Sequence, residues 1–141
     1  MESSLLTQYG TYHRNPRNRS LHEIGIPLIV LAILALLALV RLGPIDLAEV
    51  AVVAVFLFSL TVDVPAAIAA FVGYAILYLV ALHVAWYAAI AIFVAGWILQ
   101  FIGHLHEGKK PAFFTNLVHL LVGPLWIAAL AIRRTEPSAP V

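Results

Sequence analysis

Five long apolar stretches, separated by short polar or proline- and glycine-containing breaks, dominate the chain. The first 23 residues are polar, with Leu5, Leu6, Tyr9, Tyr12 and His13 at helix-like spacing. That spacing predicts a short amphipathic helix lying on a membrane surface. Asn15-Pro16 should end it, because the residue before a proline is pushed out of the helical region. Pro16 then suits the first turn of the next helix, which continues into the apolar run 24–40 and stops at Arg41-Leu42-Gly43-Pro44. Further apolar stretches cover 47–62, 66–82, 84–102 and 112–132. Their breaks are Asp63-Val64-Pro65, His83 and the polar segment 103–111, with Gly123-Pro124 interrupting the last stretch. Each stretch approaches the length of about 20 residues that a helix needs to cross the hydrocarbon core. No segment alternates polar and apolar residues, and an open sheet cannot sit in lipid, so strands are not expected.

Composition turns this pattern into a fold class. The chain has 141 residues, of which 63% are hydrophobic and 11% charged. A soluble domain of that size has too high a surface-to-volume ratio to hide so much apolar side chain. The expectation is an all-α, multi-pass transmembrane helical bundle, with about five apolar helices and a short N-terminal amphipathic helix. It forms a single integral membrane domain over 1–141, with a polar segment 1–23, membrane helices over 24–132 and a polar tail 133–141. The lipid bilayer is its environment. A formal net charge of +1 argues against a nucleic-acid partner. The absence of cysteine excludes disulfides, thiolate metal sites and cysteine nucleophiles. The polar start lacks the basic-then-apolar order of a signal peptide, so the first apolar stretch is expected to be a retained span.

Basic residues set an expected orientation. Arg14, Arg17 and Arg19 precede the first span, while Lys109 and Lys110 follow the fourth. Four crossings put both groups on one side, which the positive-inside rule makes cytoplasmic. A fifth crossing would leave Arg133 and Arg134 outside, in conflict with that rule unless the last segment is re-entrant or broken at Gly123-Pro124.

Six histidines in so apolar a chain raise a chemical question. His13, His22, His104 and His106 fall at the cytoplasmic ends of spans, and His119, roughly 10 Å into the last segment, reaches the same layer. His83 lies at the opposite face. Neutral imidazole is the commonest metal ligand and suits iron, zinc and copper. Helix spacing narrows the set. Asn18 and His22 share a face with Gly25. Trp97, Gln100, His104 and Glu107 form one polar stripe, from which His106 points away by about 200°. Asn116, His119 and Gly123 align in the last segment. His13 and His22 converge only if the chain turns near Asn15-Pro16. The geometry favours His13, His22 and His104 as metal ligands, with His119 and His106 as further candidates and Asn18 and Glu107 in supporting or catalytic roles. A histidine at a membrane interface is also a common anchor, and Asp63 reads equally as a helix cap. Several ionisable groups gathered in one membrane layer nevertheless point to function. There is no phosphate loop, nucleophile elbow or HExxH, and none of the HxxxH or HxxHH boxes of membrane di-iron enzymes.

Tyr12-His13-Arg14-Asn15-Pro16-Arg17-Asn18-Arg19-Ser20-Leu21-His22, followed by Gly25-Ile26-Pro27, resembles the H-x-x-x-x-N-x-x-x-H opening of a small membrane family. This is the family of the fungal 2-hydroxy fatty acid dioxygenase that turns phytosphingosine into odd-chain fatty acids. A second block is similar as well: Gln100-Phe101-Ile102-Gly103-His104, then Glu107-Gly108-Lys109-Lys110-Pro111-Ala112 and Gly123-Pro124-Leu125-Trp126. The resemblance spans the whole chain and is strongest to a short bacterial branch. It implies an Fe(II)-dependent dioxygenase that uses O2 to cleave the C1–C2 bond of long-chain 2-hydroxy fatty acids, releasing CO2. His13, His22 and His104 match the family's histidines, with Asn18 and Glu107 beside them. The competing readings are a non-catalytic helical membrane protein, such as a transporter subunit or scaffold, and a membrane lipid enzyme using another metal, for example zinc.

Overall fold

The computed structural model describes residues 4–114 and 118–135, and helices account for most of them. The polar start forms α1, Ser4–Gly10. Asn15 caps α2, Pro16–Leu37, its side chain accepting from the Arg17 N–H at 2.9 Å. Proline at the first helical position loses no hydrogen bond, so this dipeptide both ends the loop and starts the helix.

The connection after α2 departs from expectation. β1, Arg41–Leu42, and β2, Ile45–Asp46, pair antiparallel across Gly43-Pro44. Two residues per strand satisfy each other's backbone in a turn outside the apolar stretches, where the lipid restriction on open sheets does not apply. Asp46 then opens α3, Leu47–Leu60, with a capping box. Its carboxylate accepts from the Glu49 N–H at 2.9 Å, and the Glu49 side chain accepts from the Asp46 N–H. Asp63 caps α4, Val64–Ala81, accepting from the Ala66 N–H at 3.1 Å. α5, Trp86–Glu107, ends at Gly108, whose φ of 74° is the left-handed conformation that suits glycine after a helix.

The five expected apolar helices are present among the described residues: α2, α4 and α5 are long and apolar enough to cross a membrane, while Leu47–Leu60 and His119–Ala131 are shorter. α3, with 14 residues, covers roughly 21 Å on its return from the hairpin. The stretch 112–132 is not one helix. A 3-10 turn follows Pro111 at Ala112–Phe114, and α6 begins only at His119 and ends at Ala131, running unbroken through Gly123-Pro124. His119 therefore stands at the head of a helix instead of two turns inside one. The expected alignment with Asn116 lies outside the described residues.

Packing falls into two layers. Leu6 and Tyr9 of α1, Ala66 and Ala70 at the start of α4, and Val122, Leu125 and Trp126 of α6 form one buried cluster. Ala32 and Ala35 late in α2, Ala48 in α3, Ala81 in α4 and Ala89 in α5 form the other, at the hairpin end. Every buried cluster member of α6 belongs to the first layer. The helix starts beside Tyr9, whose ring centroid is 5.8 Å from that of His119, and the chain after it reaches Asp63, with Arg134 Nη2 2.9 Å from Oδ1. α6 begins and ends in the layer from which α4 departs, so it does not carry the chain across. Arg134 lies at the end of the bundle that holds Arg14 and Lys109.

The Arg134 guanidinium beside Asp63 holds its carboxyl below the usual carboxylate range. A depressed folded-state value contributes stability that is present above the unfolded pKa and is lost as pH falls through the folded one. Asp63→Asn is therefore expected to lower Tm in detergent at pH 7 and to flatten the acid side of the Tm-versus-pH curve. A variant curve that follows the native one throughout would show that this tie does not secure α6.

α2 and α5 form the most extensive helix pair, antiparallel and closely apposed. A Cβ added at Gly25 would lie 1.7 Å from Gln100 Nε2 and 3.1 Å from the Gly96 carbonyl oxygen. Small residues allow this approach, as between helices packed in membranes. It brings the first turns of α2 against the last turns of α5.

Candidate metal centre

His13 follows α1 in the loop that Asn15-Pro16 terminates. Its Nδ1 lies 2.8 Å from the Tyr9 carbonyl oxygen. A carbonyl only accepts, so Nδ1 carries the proton and Nε2 keeps a lone pair; Nε2 is buried without a partner. His22, in the second turn of α2, repeats the arrangement, with Nδ1 3.0 Å from the Asn18 carbonyl oxygen. His104, in the last turn of α5, is engaged by the backbone of Lys109, which the left-handed Gly108 turns back toward it, and its Nδ1 is buried without a partner. The ring centroids of His13 and His22 are 4.3 Å apart, those of His13 and His104 5.1 Å, and those of His22 and His104 4.8 Å. One ligand-capable atom from each of the three lies within 4.8 Å of the others.

Each ring is thus tied to the backbone and offers its other nitrogen to a shared centre. Outer hydrogen bonds of this kind fix the tautomer and orientation of metal-bound histidines. Burial, with the neighbouring His22 adding to it, pushes His13 down to about 2. It is neutral at physiological pH, and neutral imidazole is the ligating form. Buried polar atoms without partners are unfavourable, and a cation bound among these nitrogens satisfies them together. The donor set fits a metal.

Asn18 and Glu107 hold the frame. Asn18, buried at the α2–α5 contact, donates from Nδ2 to the Tyr12 carbonyl oxygen at 3.0 Å while its own carbonyl receives His22. A Cβ at Gly103 would lie 2.4 Å from Asn18 Oδ1, so a glycine is needed opposite it. Glu107 accepts from the backbone N–H of Arg14, and from that of Asn15 at 2.6 Å. Its carboxylate clamps the loop carrying His13 onto the end of α5. The stripe from Trp97 to Glu107 is present, but its last member meets backbone amides and not a ring nitrogen. His106 is exposed and contributes its carbonyl, which accepts from Asn15 Nδ2 at 3.1 Å. His83 lies in the α4–α5 turn at the hairpin end. His119 is buried near the three histidines but outside the group they form.

A cavity of about 240 Å³ opens beside the cluster. Ile26, Ile29, Val30 and Ile33 line it from one face of α2, opposite Phe93 and Trp97 of α5, and Gln100, His104 and His119 close its polar end. From His22 to Ile33 the helical rise is roughly 16 Å. The space therefore has a polar head and a long apolar body.

The family described as Mpo1-like: 2-hydroxy-palmitic acid dioxygenase Mpo1-like matches residues 2–135. The chain belongs to the Mpo1-like family. It is 32% identical over 125 residues to the 2-hydroxy-palmitic acid dioxygenase MPO1 of Saccharomyces cerevisiae, an alignment covering 84% of this chain and 72% of the yeast protein. No solved structure matches it. Two further residues of this Mpo1-like chain support the cluster in ways the sequence pattern shows only in part. Tyr9 stacks on His13 with ring centroids 4.2 Å apart and interplanar angle 16°, besides accepting its proton; its position four residues earlier is the available signal. Trp126 packs 5.1 Å from the His13 ring. Nothing local to its sequence separates that role from a place in an interfacial aromatic belt.

Proposed function

We propose that this chain is an Fe(II)-dependent dioxygenase of long-chain 2-hydroxy fatty acids, acting at the cytoplasmic face of a bacterial inner membrane. One observation carries the reading: three buried imidazoles, each with a ring nitrogen within 4.8 Å of the other two, stand at the head of an apolar cavity in an Mpo1-like chain. The reaction converts the 2-hydroxy acid and O2 into the acid one carbon shorter, CO2 and water, a balance that closes in carbon, hydrogen and oxygen.

His13, His22 and His104 would hold the iron, leaving positions for substrate oxygens and O2, as in other non-haem sites with open coordination. Ferrous iron bound there supplies the electrons that activate O2. The backbone carbonyls of Tyr9 and Asn18 keep His13 and His22 in the ligating tautomer. Glu107 and Asn18 position the His13 loop, and Ile26, Ile29, Val30, Ile33 and Phe93 receive the acyl chain and exclude water. Arg14, Arg17, Arg19, Lys109, Lys110 and Arg134 bias this end of the bundle toward the cytoplasm.

The test is turnover of the native chain, purified anaerobically in detergent and reconstituted with Fe(II), with 2-hydroxypalmitate and isotopically labelled O2. Pentadecanoate carrying label, formed only when iron is present, is the expected product. No shortened acid under these conditions would sink the proposal, and turnover supported by zinc without O2 uptake would favour the other-metal reading.

A further inference from the structure

Two polar groups in the cavity are left over once the three ligands and their supports are assigned. Gln100 lies one turn before His104 on the same face of α5, and is 3% exposed. Its Nε2 donates to the Gly96 carbonyl at 3.3 Å and sits in the notch left by the missing side chain of Gly25. Because that carbonyl only accepts, the amide orientation is determined, and Oε1 is left buried with no partner. His119 is 2% exposed, and neither of its ring nitrogens has a partner among the described residues. It heads α6, a helix of 13 residues whose first turn no side chain among the described residues caps. Amides of a helix N-terminus carry its positive dipole end and favour an anion.

Both residues line the cavity that holds the three histidines. Leaving a buried donor or acceptor unpaired is unfavourable by far more than an average hydrogen bond contributes. Three such atoms around one space mark where a ligand's polar atoms belong. An acceptor beside a donor at a helix head is the complement of a hydroxyl beside a carboxylate.

We propose that Gln100 and His119 are the recognition groups for the head of a 2-hydroxy acid, Gln100 Oε1 accepting from the 2-hydroxyl and His119, with the head of α6, donating to the carboxylate. The inference rests on the 2-hydroxy acid reading of the cavity. It adds how a hydroxylated acid is told from a plain one. Neither residue is a metal ligand in this assignment: the hydroxyl and carboxylate oxygens can face the histidine cluster while the hydroxyl proton and the second carboxylate oxygen face Gln100 and His119.

The experiment measures binding without turnover. Full-length protein in detergent, as purified and under argon, is titrated with 2-hydroxypalmitate, palmitate and methyl palmitate, and Trp97 in the cavity wall reports occupancy by fluorescence. The native chain is expected to bind 2-hydroxypalmitate about tenfold more tightly than palmitate, the scale of one well-made hydrogen bond to a buried acceptor. Gln100→Met should erase that preference while leaving the palmitate Kd within about twofold. His119→Phe should erase the preference for palmitate over its methyl ester, and His119→Gln, which keeps a donor, should restore part of it. Metal content should match the native chain in all three variants. Equal binding of hydroxylated and plain acid by the native chain would overturn the assignment of Gln100. Loss of metal in His119→Phe would overturn that of His119 by making it a ligand. If no fatty acid binds at all, the substrate reading of the cavity falls as well, whereas discrimination without turnover would leave the recognition role standing and count only against the oxygenase chemistry.

Discussion

Alanine at His22 or at His104 is expected to strip the protein of bound iron and abolish turnover, while helix content and monodisperse elution in detergent remain. The three ring nitrogens sit within 4.8 Å of one another, so each imidazole is a third of the donor set found among the described residues. His119 stands outside that group, and Glu107 is occupied by two backbone amides. Removing outer-sphere partners of metal ligands lowers affinity or activity about 10- to 100-fold, so deleting a ligand should exceed that. The fold should tolerate the change because each truncation gives up only one ring-to-backbone hydrogen bond, for His22 that to the Asn18 carbonyl oxygen, which contributes about 1 kcal/mol. In His104→Ala the truncation also removes a buried Nδ1 that has no partner among the described residues. Metal analysis beside circular dichroism of native and variant proteins decides the matter. Stoichiometric iron and full activity in His104→Ala would make the cluster a structural one.

The second large effect lies outside the ligand set. Trp126 is completely buried in the layer that joins α1, α4 and α6, with its ring 5.3 Å from Tyr9 and 5.1 Å from His13. Trp126→Ala removes the surface on which α1 docks. The expected loss is about 3–5 kcal/mol, the range for large aromatic truncations in well-packed sites, and a fall in Tm of about 10 °C follows for a chain of this size. α1 carries the Tyr9 carbonyl that orients His13, so iron should bind more weakly instead of vanishing. Excess Fe(II) should restore occupancy in Trp126→Ala but not in His22→Ala, and Trp126→Phe should recover most of the stability. An unchanged Tm would mean that α1 is held by other contacts. The contrast between weakened and lost binding separates a residue that supports a ligand from one that is a ligand.

Much of the helical plan, and the candidate ligand set itself, was legible in order of residues alone. The apolar runs, the Asn15-Pro16 break that lets His13 turn back toward His22, and the alignment of Gln100, His104 and Glu107 all depend on neighbours within a few positions. Local backbone preferences and the period of a helix are sufficient for them. The hairpin at Arg41–Asp46 escaped this reading because two-residue strands leave no alternation to detect. The fate of the last apolar segment escaped it for a different reason. Hydropathy measures what a segment gains by leaving water and is blind to where its ends are tethered.

Sequence by itself therefore determined an all-helical membrane chain with three histidines able to meet near one end of its spans. Only the tertiary structure decided that α6 turns back in the histidine layer, because Arg134 meets Asp63 across 71 positions. It likewise decided that Glu107 clamps the amides of Arg14 and Asn15 across more than 90 positions, and that Gln100 and His119 are left with polar atoms that no group among the described residues satisfies. Each of these outcomes depends on which distant groups share one buried space. Burial without water makes every pairing there consequential, and no local pattern records which pairings are made.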